Sequence, residues 1–246
     1  MVARDVGYSC LLGEKKFMVI KILELVSGAQ QATGLTVIID VFRAFSTACY
    51  VFNNGAKRII PVGNIDNAYK IKQSNPDYIL IGERKGIKPL DFDHGNSPTQ
   101  IEHVNFAAKT VIQTTSAGTQ GIDQAKKADQ IITGSFVNVG AIVKYINSQN
   151  PETVSLVAMG SAGIHIADED TLCAKYIKNE LEGKVNDFKR IIDHLREYKS
   201  AQKFFDDVKD WAPARDFDLC MTINKFSFVL KMQKDIKYPY LKKIDV

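Results

Sequence analysis

Short apolar runs that end in polar turns are the feature that most restricts the fold of this chain. The run 37–39 has the length and the β-branched composition of a buried strand, and Asp40 follows it directly. Similar runs recur further along the chain, and segments with helical periodicity separate them. Strands that alternate with helices form parallel-rich sheets, which bind ligands at the carboxyl ends of the strands. The sequence therefore predicts an α/β fold with functional turns at one edge of its sheet.

The same patterns predict the individual elements. Asn53-Asn54-Gly55 is typical of a left-handed helix end. The segment 83–98 is long for a loop inside a compact domain, and its charges and glycines indicate an ordered binding loop. Strands are predicted at 17–25, 37–40, 57–62, 78–82, 110–115, 128–135 and 153–160, and helices at 46–52, 64–74, 99–102, 119–127, 138–148 and 171–181.

The predicted elements repeat within the chain. Residues 56–64 and 128–136 are similar, and each occupies the same place in a βαβα unit that begins with a strand and a turn rich in Ser and Thr. Thr47 then corresponds to Thr119, and residues 153–181 repeat the first half of the unit. The repetition predicts that the turns 40–47, 114–119 and 160–170 lie at the same edge of the sheet. The alternative is a general similarity among βα units.

The pattern changes after Gly183. An amphipathic helix is predicted at 186–198, a second helix at 201–208 and an edge strand at 226–230. We therefore divide the chain into a main domain, residues 1–183, and an appendage of helical and mixed structure, residues 184–246, packed on it. No motif in the appendage indicates chemistry.

Composition excludes several classes of protein. A net charge of +4 over 246 residues is too weak to indicate a nucleic-acid partner. No apolar run is long enough to span a membrane, and residues 1–15 lack the apolar core of a signal peptide. The four cysteines are scattered without metal-ligand spacing, which favours reduced thiols in a cytoplasmic protein. The oligomeric state stays open, a homo-oligomer included.

Four polar clusters follow predicted strands and contain carboxylates, guanidinium groups and hydroxyls. This inventory suits a hard cation together with a small anionic, phosphorylated ligand. Gly118 would let backbone N–H groups approach an oxyanion. The clusters are Asp40, Arg43, Ser46 and Thr47; Glu83 and Arg84 with Asp93, Asn96 and Ser97; Thr114, Thr115, Ser116 and Thr119; and Glu169 with Asp170.

Each cluster also has a purely structural interpretation. Asp40 could cap the next helix and pair with Arg43, and the hydroxyls could be helix caps. Glu83 and Arg84 could form a surface ion pair, and Asn96 could be a turn former. Glu169 and Asp170 stand where acids stabilise a helix N-terminus. The functional interpretation gains weight because the clusters follow several strands.

Five blocks of the chain resemble the 2-phosphosulfolactate phosphatase family. The most specific is Phe92-Asp93-His94-Gly95-Asn96-Ser97-Pro98; the others are residues 39–47, 82–84, 114–119 and 169–174. The resemblance implies a three-layer α/β/α fold with a mixed, parallel-rich sheet. It also implies a Mg²⁺-dependent phosphatase that removes phosphate from 2-phosphosulfolactate, a step toward coenzyme M.

The chain departs from the family pattern at four places. Asp91 stands where glycine is common, and His94 where an aliphatic residue is common. Ser116-Ala117-Gly118 replaces a shorter turn, and Lys175 follows Cys173-Ala174 where glycine is usual. These changes are expected in or beside the pocket, so they bear on the substrate more than on the fold.

The chemistry of phosphate ester hydrolysis assigns expected roles. Asp40 would hold Mg²⁺ together with Asp170 or Glu169, and Glu83 would belong to the catalytic group. Arg43 and Arg84 would clamp anionic oxygens. The predicted substrate-binding residues are Ser46, Thr47, Asp93, Asn96, Ser97, Thr114, Thr115, Ser116, Gly118 and Thr119.

Three alternatives remain open. Asp40 could attack phosphorus directly instead of binding the metal. The substrate could be a different phosphorylated hydroxy acid. The chain could also be a non-catalytic protein that binds an anionic metabolite.

Overall fold

The structure, a computed structural model, describes residues 18–246. The predictions for residues 1–15 and for the start of the first strand at Phe17 lie outside the described residues. Within residues 18–246 the strands are β1 Val19–Glu24, β2 Gly34–Ile39, β3 Arg58–Pro61, β4 Ile79–Gly82, β5 Thr110–Thr114, β6 Ala128–Gly134, β7 Thr153–Ala158, β8 Phe228–Gln233 and β9 Tyr240–Asp245. The helices are α1 Leu25–Gln31, α2 Ala44–Asn53, α3 Ile65–Ser74, α4 Pro98–Ile101, α5 Gly118–Gln124, α6 Val139–Gln149, α7 Asp168–Leu181, α8 Phe188–Glu197 and α9 Ala214–Cys220.

Both faces of the sheet are covered, as the predicted three-layer α/β/α fold requires. Along β2, Ile38 packs into a core with α1, α2 and α5. Its neighbours Val37 and Ile39 point to the opposite face and pack with α6 and α7. Alternate residues of a strand face opposite sides of the sheet, so a strand that is apolar throughout is covered twice. The α/β/α prediction is confirmed.

The nine strands of the described chain form one mixed sheet in the order β1-β7-β2-β6-β8-β9-β3-β5-β4. The first four are parallel to one another, and so are the last three. Between them, β8 and β9 pair antiparallel with their neighbours, which reverses the direction of the second parallel group.

The two repeated units exchange strands. β2 of the first unit pairs with β6 of the second, and β5 of the second pairs with β3 of the first. The turns after β2 and β7 follow adjacent strands, whereas the turn after β5 belongs to the other parallel group. The prediction that the three turns lie at the same edge of the sheet is wrong, because β5 runs opposite to β2 and β7. The turns still meet at one site: the Gly118 N–H donates to the Asp40 carboxylate at 2.8 Å, and the Val41 N–H donates to the Asp170 carboxylate at 2.7 Å.

Helix α2 is buried along its whole length between the two parallel groups. Every residue from Ala44 to Phe52 is buried, which is typical of a helix enclosed by other elements. The helix ends where Gly55 takes a positive φ of 95°, as its sequence predicts. Because α2 is enclosed, its N-terminal end holds the turn after β2 in a fixed position.

The C-terminal part differs from its prediction in two ways. The predicted edge strand is β8, which lies between β6 and β9 in the interior of the sheet. The predicted helix at 201–208 is only a short 3₁₀ turn, Gln202–Phe205. The apolar pattern at 226–230 was too short to reveal its hairpin partner β9.

None of the helices in the described part has the length and apolarity that a bilayer-spanning segment requires.

Candidate active site

A cavity of about 870 Å³ opens where β2, β4, β5 and β7 end. Side chains from each of these strand ends line it, together with the segment that follows α8. Seven of the predicted site residues are among the lining residues. They are Asp40, Arg43, Glu83, Asn96, Ser116, Glu169 and Asp170.

The carboxylate of Asp40 is held by two backbone groups. The Ala44 N–H donates to Oδ1 at 3.0 Å, and the Gly118 N–H donates to Oδ2 at 2.8 Å. A Cβ on Gly118 would lie 2.9 Å from Oδ2, so only glycine allows this approach. Burial, followed by the negative charge of Glu83, raises the pKa of Asp40 to about 6 against the lowering effect of these hydrogen bonds. The predicted helix-capping contact of Asp40 is therefore present, and the carboxylate also faces the cavity.

Asp170 is a second buried carboxylate beside Asp40. It accepts hydrogen bonds from the N–H groups of Val41 at 2.7 Å and Gly160 at 2.8 Å. Burial raises its pKa well above the usual value, and the charges of Asp40 and Glu169 raise it further. Two neighbouring carboxylates that repel each other are stabilised by a cation or a shared proton.

Glu83 organises the loop after β4 and the turn after β5. Its Oε1 accepts from the Ser116 N–H at 2.6 Å, and its Oε2 accepts from the Gly86 N–H at 2.7 Å. The Ser116 hydroxyl also donates to Oε2 at 3.1 Å. Arg84 does not pair with the Glu83 carboxylate; it donates to the Glu83 carbonyl at 2.6 Å. The predicted Glu83–Arg84 ion pair is therefore absent, and Glu83 joins two loops instead.

Arg43 forms a buried ion pair at the wall of the cavity. Its Nη1 lies 2.6 Å from Oδ2 of Asp216, and the two side chains are 3% and 0% exposed. Arg43 also donates to the carbonyls of Trp211 and Gly86, at 2.8 and 3.2 Å. The predicted pairing with Asp40 is wrong, because the guanidinium turns toward α9. Three of its five N–H groups bond to the protein, which leaves two for a ligand.

Glu169 contacts the segment that follows α8. The Ser200 hydroxyl donates to its Oε2 at 2.5 Å. Burial raises the pKa of Glu169, while the positive charge of Lys203 acts against the rise. Burial in turn lowers the pKa of Lys203, against the attraction of Glu169. The two side chains thus share the same wall.

Several predicted site residues are not brought to the cavity. Arg84 donates to the Gly63 carbonyl and to the Thr114 hydroxyl, at 3.0 and 2.7 Å. Asp93 pairs with Lys72 at 3.1 Å. The remaining hydroxyls are buried in the protein. Ser46 donates to the Val41 carbonyl, Ser97 donates to Asp216, and the Thr47 hydroxyl has no hydrogen-bond partner among the described residues. The Thr119 hydroxyl accepts from the Thr115 N–H and donates to the Thr115 carbonyl.

Three departures from the family pattern also lie outside the lining. Asp91 is exposed, His94 packs edge-on against Phe106, and Lys175 is exposed on α7. Only Ser116 and Ala117 line the cavity. Of the four changes expected in or beside the pocket, only the one at Ser116-Ala117-Gly118 contributes lining residues, although the segments of the other three reach the cavity through Asn96 and Asp170.

The donor set was compared with the needs of a magnesium ion. Among the described residues, no group of three or more His, Cys, Asp or Glu side chains is arranged to hold a metal. Mg²⁺ takes one or two carboxylates and completes its shell with water and substrate phosphate oxygens. Asp40 and Asp170 supply two adjacent carboxylates, and each oxygen keeps a lone pair beyond its N–H bond. These residues fit Mg²⁺ as a pair.

Sequence reasoning missed the C-terminal wall of the cavity. Asp216 binds Arg43 and also accepts from Ser97 and Thr99. Trp211 and Lys203 line the cavity. Their segments carry no motif, and Lys203, Trp211 and Asp216 contact residues of the β2 turn that lie more than a hundred positions away in the chain. No local signal could have identified them.

The comparison with known proteins decides the family. The family model described as 2-phosphosulpholactate phosphatase matches residues 20–235. The chain belongs to this family. A probable 2-phosphosulfolactate phosphatase of Bacillus subtilis is 32% identical over 213 residues, which cover 85% of this chain and 92% of that protein. Proteins with the same description from Clostridium perfringens (29%, covering 81% and 86%) and Pseudothermotoga lettingae (41%, covering 65% and 67%) are also similar. The family is one of phosphoric monoester hydrolases, and the resemblance of the five sequence blocks is confirmed.

Proposed function

We propose that this protein is a Mg²⁺-dependent phosphatase that hydrolyses 2-phosphosulfolactate to sulfolactate and phosphate. The observation that supports it most is the pair of backbone-anchored carboxylates, Asp40 and Asp170, at the floor of a large cavity. Family membership supports the substrate. The reaction would belong to coenzyme M biosynthesis, as the family resemblance implies.

In the proposed mechanism, Asp40 and Asp170 would hold Mg²⁺, with Glu169 beside them. The bound ion would neutralise charge on the phosphoryl oxygens. A water oxygen forms a bond to phosphorus while the bond between phosphorus and the ester oxygen breaks. The electron pair stays on that oxygen, which takes up a proton to give the hydroxyl of sulfolactate, while the attacking water gives up a proton as it becomes part of the phosphate.

The other residues position the reactants. Asn96 lines the cavity, and its buried amide oxygen accepts no hydrogen bond in the described chain, so it is free to orient water or substrate. Arg43 keeps two N–H groups for an anionic oxygen. Glu83 fixes the loops that carry Gly86 and Ser116. These are positioning tasks, which dominate catalysis of phosphoryl transfer.

The compartment and the partners are part of the proposal. Cys49, Cys173 and Cys220 are free and buried, which supports a reducing, cytoplasmic environment. The proposed partner is the small phosphorylated substrate; nucleic acid and membrane are not required, and a homo-oligomer stays open.

Phosphate release from a panel of phosphorylated hydroxy acids, with Mg²⁺ or with EDTA, tests the proposal. We expect fastest release from 2-phosphosulfolactate and loss of release in EDTA. Faster release from another acid would identify that acid as the substrate. Full activity in EDTA would show that the reaction does not require Mg²⁺. Thermal stabilisation by the acids without any phosphate release would favour the metabolite-binding alternative. A trapped phosphoenzyme on Asp40 would assign the attack to that residue.

A further inference from the structure

Lys203 brings a half-buried ammonium group to the wall of the cavity from a part of the chain that shows no motif. It lies in the 3₁₀ turn Gln202–Phe205 and lines the cavity together with Asp40 and Glu169. Its Nζ lies 5.8 Å from the ring centroid of Phe42 and 5.0 Å from that of Phe204. Aromatic faces attract a cation and restrict where it can go. The ammonium therefore has a defined position beside the two acids.

The hydrogen-bonding capacity of this ammonium group is mostly unused. Its one hydrogen bond to a described residue is long, 3.4 Å to the Phe42 carbonyl, whereas an ammonium has three donors. Within residues 18–246, no carboxylate oxygen lies within 4.0 Å of Nζ. A partly buried charge without a paired counterion is costly and is found where a ligand completes it.

The other cations of the cavity differ from Lys203. Arg43 pairs with Asp216 at 2.6 Å, and Lys209 pairs with Asp206 at 2.7 Å. Lys85 and Lys199 are exposed to solvent at the same cavity. Lys203 thus combines partial burial with free donors, and its charge acts on both Asp40 and Glu169. This places it beside the carboxylates where the phosphoryl group would be bound.

We propose that Lys203 is a further catalytic residue, which donates hydrogen bonds to the non-bridging oxygens of the phosphoryl group. The inference rests on the proposed function and extends it to the segment after α8. An ammonium at this place offsets the negative charge of Asp40, Asp170 and Glu169, which would otherwise repel a phosphate dianion. The sulfonate and carboxylate of the substrate are not assigned to Lys203.

The test compares Lys203→Met, which keeps the unbranched stem, with Lys203→Arg, which keeps the charge, and with Lys199→Met as the matched control. Calorimetric titration of the Mg²⁺-loaded protein with inorganic phosphate, and separately with sulfolactate, measures binding without turnover. Kinetics with 2-phosphosulfolactate measure kcat and KM.

We expect Lys203→Met to weaken phosphate binding at least about tenfold and to lower kcat/KM by about 10²–10³-fold, as the loss of one charge-stabilising donor does. Sulfolactate binding should stay within about twofold, because that ligand lacks the phosphoryl group. Lys203→Arg should recover part of the phosphate affinity, and Lys199→Met should match the wild type.

Unchanged phosphate affinity in folded Lys203→Met would overturn the inference, as would an equal loss of affinity for phosphate and sulfolactate. The phosphate titration decides the inference even when the wild-type protein hydrolyses none of the phosphorylated acids. Loss of phosphate binding in Lys203→Met would then support the anion site while the proposed function fails.

Discussion

The turns after β2 and β5 occupy corresponding places in the two repeated units, yet they do opposite work. After β2, the first residue is Asp40, whose carboxylate faces the cavity. After β5, the first residue is Thr115, whose hydroxyl is used within its own turn by Thr119. The turn after β5 contributes a backbone group instead, the N–H of Gly118, which donates to the Asp40 carboxylate. The turn after β2 therefore supplies the charged side chain, and the turn after β5 supplies a backbone donor that holds it in place.

Replacement of Asp40 should have the largest effect, because it removes the charge that distinguishes the turn after β2 from the turn after β5. Asp40→Asn keeps the size of the side chain but removes the charge, and we expect kcat to fall by at least about 10²-fold. Far-UV circular dichroism should remain that of the wild type. Asp91→Asn, an exposed site outside the cavity lining, is the control and should keep full turnover. Near-wild-type kcat in Asp40→Asn would remove this residue from the mechanism.

Loss of the ion pair between Arg43 in the turn after β2 and Asp216 in α9 should have the next largest effect. Asp216→Asn leaves the buried Arg43 guanidinium without its counterion, which costs about 3–5 kcal/mol of unfolding free energy. Urea unfolding measures the loss. Asp218→Asn on the same helix removes only a surface partner of Arg196 and should cost at most about 1 kcal/mol. Equal losses in the two variants would contradict a structural role for the Arg43–Asp216 pair.

The charge on the β2 turn also predicts a pH dependence. The pKa of Asp40 is about 6 in the folded protein and 3.8 in its ordinary environment. Between these values the folded state binds more protons than the unfolded state, so this contribution to stability is complete below pH 3.8 and is lost as pH rises through 6. The loss amounts to about 2–3 kcal/mol, at about 1.4 kcal/mol per pKa unit.

Urea unfolding from pH 4 to pH 8 checks the sign. The wild-type protein should lose stability relative to Asp40→Asn across this range. A difference that rises with pH would mean that the pKa of Asp40 is lowered by folding.

Gly118 sharpens the comparison from the side of the β5 turn. A methyl group there meets Oδ2 of Asp40 at 2.9 Å and Cβ of Ala44 at 3.0 Å, so Gly118→Ala should destabilise the fold by about 1–3 kcal/mol. It should also lower kcat, because the methyl group would displace the Asp40 carboxylate from the N–H of residue 118. Thr119→Val, in the same turn but away from Asp40, should cost about 1 kcal/mol. If the two variants lowered kcat equally, the special role of Gly118 would be lost.

The sequence predicted the parts of the fold that depend on neighbouring residues. Apolar runs as long as β2 and β7 can be recognised as strands from the sequence alone. An acid directly after such a strand lies at the carboxyl end of that strand, whatever the place of the strand in the sheet. Asp40 is predicted in this way and Asp170 as part of the turn that follows the strand 153–160, and the structure brings both to one cavity. The three-layer architecture came with the family resemblance.

Long-range pairing was beyond local patterns. Arg43 meets Asp216, 173 positions further along the chain, and nothing near either residue specifies that partner. Hydroxyls such as Ser46 and Thr115 resemble ligands in sequence, but burial makes them bond to the protein. The place of β8 and β9 in the sheet depends on the open edges of β6 and β3, which exist only after both halves have folded.

The position of this hairpin has a consequence for biosynthesis. A nascent chain exposes the unpaired edges of β6 and β3 until residues 228–245 have left the ribosome. Open strand edges recruit other chains, so a ribosome that stalls before this point releases a product prone to aggregation. For this protein, the β8–β9 hairpin covers strand edges that the residues translated before it leave exposed.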